Sequence, residues 1–412
     1  MPGVINVGQV GNLRGGWLPP PFCSAPASGP IDNRPQLAKL PHRVSVLNPM
    51  SKYLSPRDID WTVLLIVLLI CGVSVLQIYS ATRDTDFTSA WWKQIVYVAG
   101  GLFLMWLMMA VDYHSMLHYV PALYIASVAL LLITAFVGEK TYGGRRWLPV
   151  GFGIHLQVSE FVKLVIILLV ARYLTELRTD ELEIREMLKL AGLVLVPTVL
   201  VMKQPDLGTS LTYLAVLIAC AFLAGLRWKY VVVIAILTVV VLPISWQFMN
   251  EYQKERIYSF MDPERDPQGK GYQLIQSQIA VGSGGMFGKG VTKGTQTQLR
   301  FLPVPHKDFI FSAFAEEHGF VGVTILLSLF FVLVMRIVQN AHTAPDRVGM
   351  YLCMGVAALL LFHILVNVGM VAGLMPVTGI PLPFMSFGGS SIWTFFLALG
   401  LVNNVRLRRF VN

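Results

Sequence analysis

Long apolar runs alternate with short polar connections along this chain, and one polar stretch of about sixty residues interrupts the alternation. The runs fall at about 62–80, 94–111, 119–137, 158–174, 188–202, 208–226, 231–249, 320–338, 351–372 and 391–405. Each approaches the ~20 residues that ~30 Å of hydrocarbon requires, the run at 188–202 being short. Hydrocarbon offers no partner to a backbone N–H or C=O, so runs of this length and continuity must be helices. The pattern predicts an all-α integral membrane protein of about ten transmembrane helices. One large loop, 250–308, joins the seventh to the eighth.

Composition agrees with that picture. Only 13% of the 412 residues are charged, against roughly 25% in ordinary soluble domains, and 55% are apolar. Residues 1–57 are rich in Gly, Pro and Asn and lack the apolar run and small-residue cleavage site of a signal peptide. They read as a disordered cytoplasmic tail ahead of a membrane domain at 58–409. Cys71, Cys220 and Cys353 lie within runs and only Cys23 outside, so no disulfide framework is implied. The net charge of +9 is spread over many connections without a basic domain, which argues against a nucleic-acid partner. Arg34, Lys39, Arg43, Lys52 and Arg57 precede the first run. If the runs alternate, Arg172, Arg178, Arg185, Lys189, Arg227, Lys229, Arg336, Arg347, Arg406, Arg408 and Arg409 fall on that same side. The positive-inside rule then makes both termini cytoplasmic and loop 250–308 extracytoplasmic. The loop's own eight Lys and Arg are tolerated because the rule weakens for long loops.

Threaded this way, the unusual polar residues collect on the outer face. Arg145, Arg146 and Trp147 precede the fourth run, whose outer half carries Glu160 and Lys163. Lys203, Gln204, Pro205 and Asp206 form the turn between the fifth and sixth runs. His306, Asp308, Glu316 and Glu317 stand at the entry to the eighth. Glu160 and Lys163, three apart, share a helix face. They form either an ion pair that locks the bundle or part of a site for a polyanion such as a lipid-linked pyrophosphate, with Arg146 and Lys203 as further cations. Gln204–Pro205–Asp206 has an ordinary reading as a turn and N-cap. The Gly- and Pro-rich segment 376–391 reads either as an irregular connection or, through its amides and Ser386, Ser390 and Ser391, as the lining of a head-group site. Asp262 and Asp266 each precede a proline, which holds the backbone extended and allows either a turn or a carboxylate presented to a cleft. The glycines of 282–294 permit close backbone approach to a ligand, and Gln276, Gln278, Gln296 and Gln298, on either side of them, carry amides suited to sugars.

These residues resemble the SEDS family of polytopic peptidoglycan glycosyltransferases, over nearly all of 59–409. Arg146-Trp147, Ser159-Glu160-Phe161-Val162-Lys163-Leu164, Gln204-Pro205-Asp206-Leu207-Gly208-Thr209, Asp266-Pro267 with Gly269 and Gly271-Tyr272-Gln273, and the segment 376–391 match in order and spacing. Asp262-Pro263, the run 279–285 and 301–311 are similar to the RodA members, the elongation branch, more than to FtsW. The resemblance implies polymerisation of lipid II on the outer face of the bacterial cytoplasmic (inner) membrane. It gives Asp266 as general base for the acceptor hydroxyl and Arg146, Lys163 and Lys203 as pyrophosphate contacts. It also implies a divalent cation (Mg2+ or Mn2+), with Asp262 as its candidate ligand or as an alternative base, and no organic cofactor. Implied partners are a class B penicillin-binding protein and other elongation-complex membrane proteins. The long N-terminal tail and Lys307, where the family usually has Thr, depart from the pattern. Three other readings stay open at this point: a lipid II flippase, an FtsW-type division polymerase, and a scaffold that only recruits the transpeptidase.

Overall fold

The computed structural model describes residues 58–409 apart from 84, 86, 142–143, 152–153, 178–181, most of 228–250, 264–269 and 303. The N-terminal tail at 1–57 therefore lies outside the described residues, as do most of the seventh apolar run and Asp266. The described chain is mostly helical. Its long helices are α1 (Trp61–Thr82), α2 (Ala90–Ala110), α3 (Tyr113–Val137), α4 (Val158–Glu176), α5 (Ile184–Lys203) and α6 (Leu207–Leu223) in the first half. The second half supplies α10 (Ile310–His342), α11 (Arg347–Val371) and α12 (Gly389–Arg408). Among the described residues five of these, α1, α2, α3, α10 and α11, are long and apolar enough to cross a membrane by length and composition.

Aspartates start four of the helices. Asp60, Asp112, Asp206 and Asp346 each accept a hydrogen bond from a backbone N–H of the first turn of α1, α3, α6 and α11, satisfying donors that have no partner within the helix. Packing is closest where side chains are small. Gly101 of α2 lies against the Phe396 ring of α12, and Gly400 of α12 lies against the backbone of Met105. Helix α11 sits inside the bundle between α4, α6, α10 and α12. Helices α2 and α3 instead turn large apolar side chains outward, among them Phe103, Trp106, Ile125 and Phe136. In water such a rim would drive association; around a membrane bundle it is the face that lipid covers.

The chain departs from the all-α expectation between α3 and α4. There β1 (Glu139–Thr141), β2 (Gly144–Gly151) and β3 (Ile154–Gln157) form an antiparallel sheet in the order β1-β2-β3. This segment is too polar and too short to cross a bilayer, and pairing its strands satisfies backbone groups that a plain loop would leave to water. The loop at 250–308 is also not structureless. It contains α7 (Glu251–Met261), α8 (Lys270–Ser283) and the single turn α9 (Thr295–Gln298). Helix α8 docks on α10 and α11, where the Ser277 hydroxyl meets that of Ser312 at 2.9 Å and donates to the Val371 carbonyl at 3.1 Å. The sheet, the α5–α6 turn, α7 and the connection from α11 to α12 all gather at one end of the bundle, the sheet face. The first and last described residues meet at the other, where Arg406 Nε donates to the Asp58 carbonyl at 3.1 Å.

Candidate active site

The sheet face is organised around the turn between α5 and α6. Arg146, on β2, donates from Nε to the Gln204 carbonyl at 2.7 Å and from Nη2 to the Pro205 carbonyl at 2.5 Å. The Gln204 amide donates to the Leu131 carbonyl of α3 at 2.9 Å. Asp206 accepts from the Thr209 N–H at 3.2 Å, the Thr209 hydroxyl at 3.0 Å and the Gln157 amide at 2.9 Å. The turn is thus pinned from the sheet and from α3, and both Asp206 oxygens are occupied within the protein, as the N-cap reading of this motif requires. Trp147 is half-buried on β2, while Lys203, in the last turn of α5, is exposed.

The segment from Pro376 to Gly388 folds over residues 306–308 and Gly208 at the start of α6, and is reached by Arg256 of α7 and by Ser74 and Gln94 of α1 and α2. Ser386 does not face outward: its hydroxyl donates to the Lys307 carbonyl and accepts from the Leu382 N–H, both at 2.8 Å. Ser390 accepts from the Gln157 N–H at 3.1 Å and so ties α12 to β3. Asn367 of α11 donates to the carbonyls of Asp308 and Ile380 at 3.0 and 2.7 Å. Arg256 of α7 donates to the Thr378 carbonyl at 2.8 Å and acts electrostatically on Asp308. Burial pushes the Asp308 carboxyl up, against the pull of Arg256, Lys307 and Arg146, and it ends above its ordinary value. His306 is buried between the rings of Phe87 and Phe387. Burial, with Lys307 beside it, pushes the imidazole down to about 4; it is neutral at pH 7.

One side of this floor is built by carboxylates that hold the glycine-rich stretch of the long loop. Glu316 accepts from Lys289 Nζ at 2.8 Å, from the Gln296 N–H at 2.9 Å and from the Thr297 N–H at 3.3 Å, which caps α9. Glu317 accepts from the Ser80 hydroxyl and from the Gln77 amide of α1. Gly288 has a positive φ of 78°, and a Cβ there would run into the Glu317 carbonyl. Only glycine lets the loop lie this close to α10. Gln298 donates to the Ser80 carbonyl at 2.9 Å, and Gln276, on α8, is half-buried.

Glu160 and Lys163 stand in the first two turns of α4, 3% and 1% exposed, with Nζ 2.6 Å from Oε1. Lys163 also lies 3.1 Å from Nε2 of His363 on α11, whose Nδ1 lies 2.9 Å from the Leu359 carbonyl. Of the two readings of this pair, the geometry matches the ion pair that locks helices together. Sequence reasoning missed His363, although an ionisable side chain inside the apolar run 351–372 was itself a usable signal. Arg256 and Asn367 were missed as well, although an asparagine deep in an apolar run was a usable signal. Asp262 is exposed at the end of α7. Among the described residues no group of three or more His, Cys, Asp or Glu could hold a metal ion.

The cell cycle protein family of FtsW, RodA and SpoVE matches residues 58–409. The chain belongs to this family. It is 39% identical over 361 residues to the peptidoglycan glycosyltransferase MrdB of Escherichia coli K12, covering 85% of this chain and 94% of that protein. It is 31% identical to the peptidoglycan glycosyltransferase RodA of Treponema pallidum, over 85% of this chain and 98% of that one. Its fold matches a chain from a peptidoglycan synthase complex solved to explain how polymerization and crosslinking are coordinated. The TM-score is 0.74 at 33% identity, over 86% of this chain and 99% of that chain. This member of the FtsW/RodA/SpoVE family is a multi-pass membrane protein.

Proposed function

We propose that this chain polymerises lipid II, the undecaprenyl-pyrophosphate-linked disaccharide pentapeptide, into glycan strands on the outer face of the cytoplasmic membrane during cell elongation. In this reading about ten helices cross the membrane, the seventh at about 231–249. Both termini are cytoplasmic, and the sheet face is extracytoplasmic. The observation that carries the reading is the convergence on one face of an apolar bundle of Arg146, the Gln204–Pro205–Asp206 turn, Asp308 with Arg256, and the segment 376–391. Asp266 follows α7, the helix that brings Arg256 to this cluster.

In the reaction the acceptor sugar hydroxyl attacks the donor's anomeric carbon and the bond to the pyrophosphate oxygen breaks, with inversion. Asp266 takes the hydroxyl proton as general base. The departing pyrophosphate needs cations, and Arg146, Lys203 and Arg256 are the groups at this face suited to it. Lys163, buried with Glu160 and His363, acts by fixing α4 against α11 instead of by touching substrate. A divalent cation would neutralise charge on the pyrophosphate, with Asp262 as the candidate ligand; the described residues build no closed site for it. The peptidoglycan synthase complex among the similar structures supports a class B penicillin-binding protein as partner, alongside other elongation-complex membrane proteins.

The test uses purified protein, lipid II, a divalent cation and the cognate transpeptidase with its own active site inactivated. Glycan strands form with the native chain and vanish with Asp266→Ala and Asp266→Asn, the loss being on the order of 10² or more, as removal of a general base implies. Polymer made at the native rate by Asp266→Asn would refute the base assignment. Asp262→Ala, run beside it, separates the two aspartates.

A further inference from the structure

At the face opposite the sheet, the ends of α10 and α12 enclose a cleft of about 440 Å³. It is lined chiefly by Arg336, Asn340, His342, Thr343, Arg406 and Arg409, and its size is that of a small-ligand site. Its floor is ordered by Asp60, which is 1% exposed. Asp60 accepts from Arg406 Nη1 at 2.7 Å and from the Asn340 amide at 3.1 Å, and Arg336 Nε stands 3.5 Å away. Arg406 Nη1 also donates to Asn340 Oδ1 at 3.1 Å, and Arg336 donates to Gln339 at 2.8 Å. The buried carboxylate therefore fixes two guanidinium groups in place, and Arg409 lines the cleft beside them, so that among the described lining residues positive charge outweighs negative. The excess is positive and held in a concavity.

A general bias of basic residues toward one side of a membrane would scatter them over separate helix ends. Here they share one cleft with a buried acid as its keystone. The cleft opens at the ends of α10 and α12, which the orientation proposed above sets at the level of the cytoplasmic head groups. Guanidinium forks match the geometry of phosphate oxygens, and basic pockets between helices on the cytoplasmic side suit anionic head groups. We infer that this cleft binds the phosphate of an anionic phospholipid head group, with the Gln339 amide and the Thr343 hydroxyl placed for the head-group hydroxyls. A zwitterionic lipid brings the same phosphate together with a cation, which the surplus arginine charge repels. The inference does not use the reaction proposed at the other face, but it rests on the orientation proposed with it, which makes this face cytoplasmic.

The experiment follows thermal unfolding of the full chain in a non-ionic detergent during titration with short-chain phosphatidylglycerol, short-chain phosphatidylcholine or inorganic phosphate. Phosphatidylglycerol raises the midpoint and saturates; phosphatidylcholine at the same concentration does not. Combining Arg336→Gln with Arg409→Gln, while leaving Arg406 to hold Asp60, weakens the response about fivefold per arginine removed. Should the double variant fail to fold, Arg409→Gln alone, at an exposed position, reads the same single step. Equal shifts from both lipids, or an unchanged response in the variants, overturn the proposal. A shift of the same size from inorganic phosphate alone overturns the lipid as source.

Discussion

Lys163 illustrates how much of this protein is decided by single side chains. An ammonium almost withdrawn from solvent survives because Glu160, His363 and the Phe395 ring, 6.0 Å from Nζ, surround it. For Nε2 of His363 to accept from Lys163 while Nδ1 donates to Leu359, the ring must be neutral and protonated on Nδ1. Replacing His363 by Leu removes an acceptor from a buried cation, at a cost of about 1–3 kcal/mol. His363→Gln restores an acceptor. Thermal unfolding of the two variants checks this, and equal midpoints would show that the histidine contributes only volume. Lys163→Met leaves Glu160 buried and unpaired, a loss of about 3–5 kcal/mol, so poor expression is expected. A well-folded but inactive Lys163→Met protein would return Lys163 to the ligand site. The Glu160–Lys163 pair was legible because three residues along a helix place two side chains on one face. His363 was not, since its partner lies 200 positions away in sequence and only packing brings them together.

At the scale of elements, the long apolar helices were legible because a lipid-crossing helix announces itself by length alone. The sheet was missed although Tyr142-Gly143-Gly144 and Gly151-Phe152-Gly153 carry hairpin-like glycine signals. The helices of the long loop were missed because they are held by contacts, α8 with α10 and α11 and α7 with α8, and not by their own periodicity. Helix ends are held by local electrostatics, most clearly where the α2–α3 turn meets the start of α11. His114 bridges Asp112 Oδ1 at 3.3 Å and Asp346 Oδ2 at 2.7 Å, and the Tyr113 hydroxyl donates to Asp346 at 3.1 Å. Burial pushes both carboxyls up. Hydrogen bonds from His114 to each, from Tyr113 to Asp346, and the charge of Arg408 near Asp112 outweigh it, and both end below the ordinary value. A lowered folded pKa means that the stabilisation is fully present above the ordinary carboxylate pKa of ~3.9 and is lost as pH falls through the folded value. His114→Ala is therefore expected to lower stability by about 1 kcal/mol near neutrality, the upper end for exposed pairs. It should also flatten the acid limb of the curve of unfolding midpoint against pH. An acid limb identical to that of the native chain would mean that the two aspartates act as helix caps alone.

Across the whole molecule the same apolar bundle ends in two chemically different faces. One carries the sheet, the pinned turn and Asp308 in the field of Arg256; the other carries the basic cleft and the His114 bridge between helix ends. Such polarity has a purpose only if the two faces meet different solutions, and the reaction proposed for the sheet face requires that face to be extracytoplasmic, where no nucleotide-activated sugar is present and the donor must arrive attached to lipid. Orientation is therefore a premise of the chemistry and can be tested without it. Lys203 is exposed at the sheet face and Arg185 is exposed near the start of α5 at the opposite end, while Cys71, Cys220 and Cys353 are buried. With Cys23 replaced by Ser, a membrane-impermeant maleimide added to intact spheroplasts should label Lys203→Cys and leave Arg185→Cys unlabelled until the membrane is permeabilised. The opposite pattern would place the candidate site in the cytoplasm. Lipid II polymerisation on the outer face would then be excluded for this chain, whatever its similarity to glycosyltransferases.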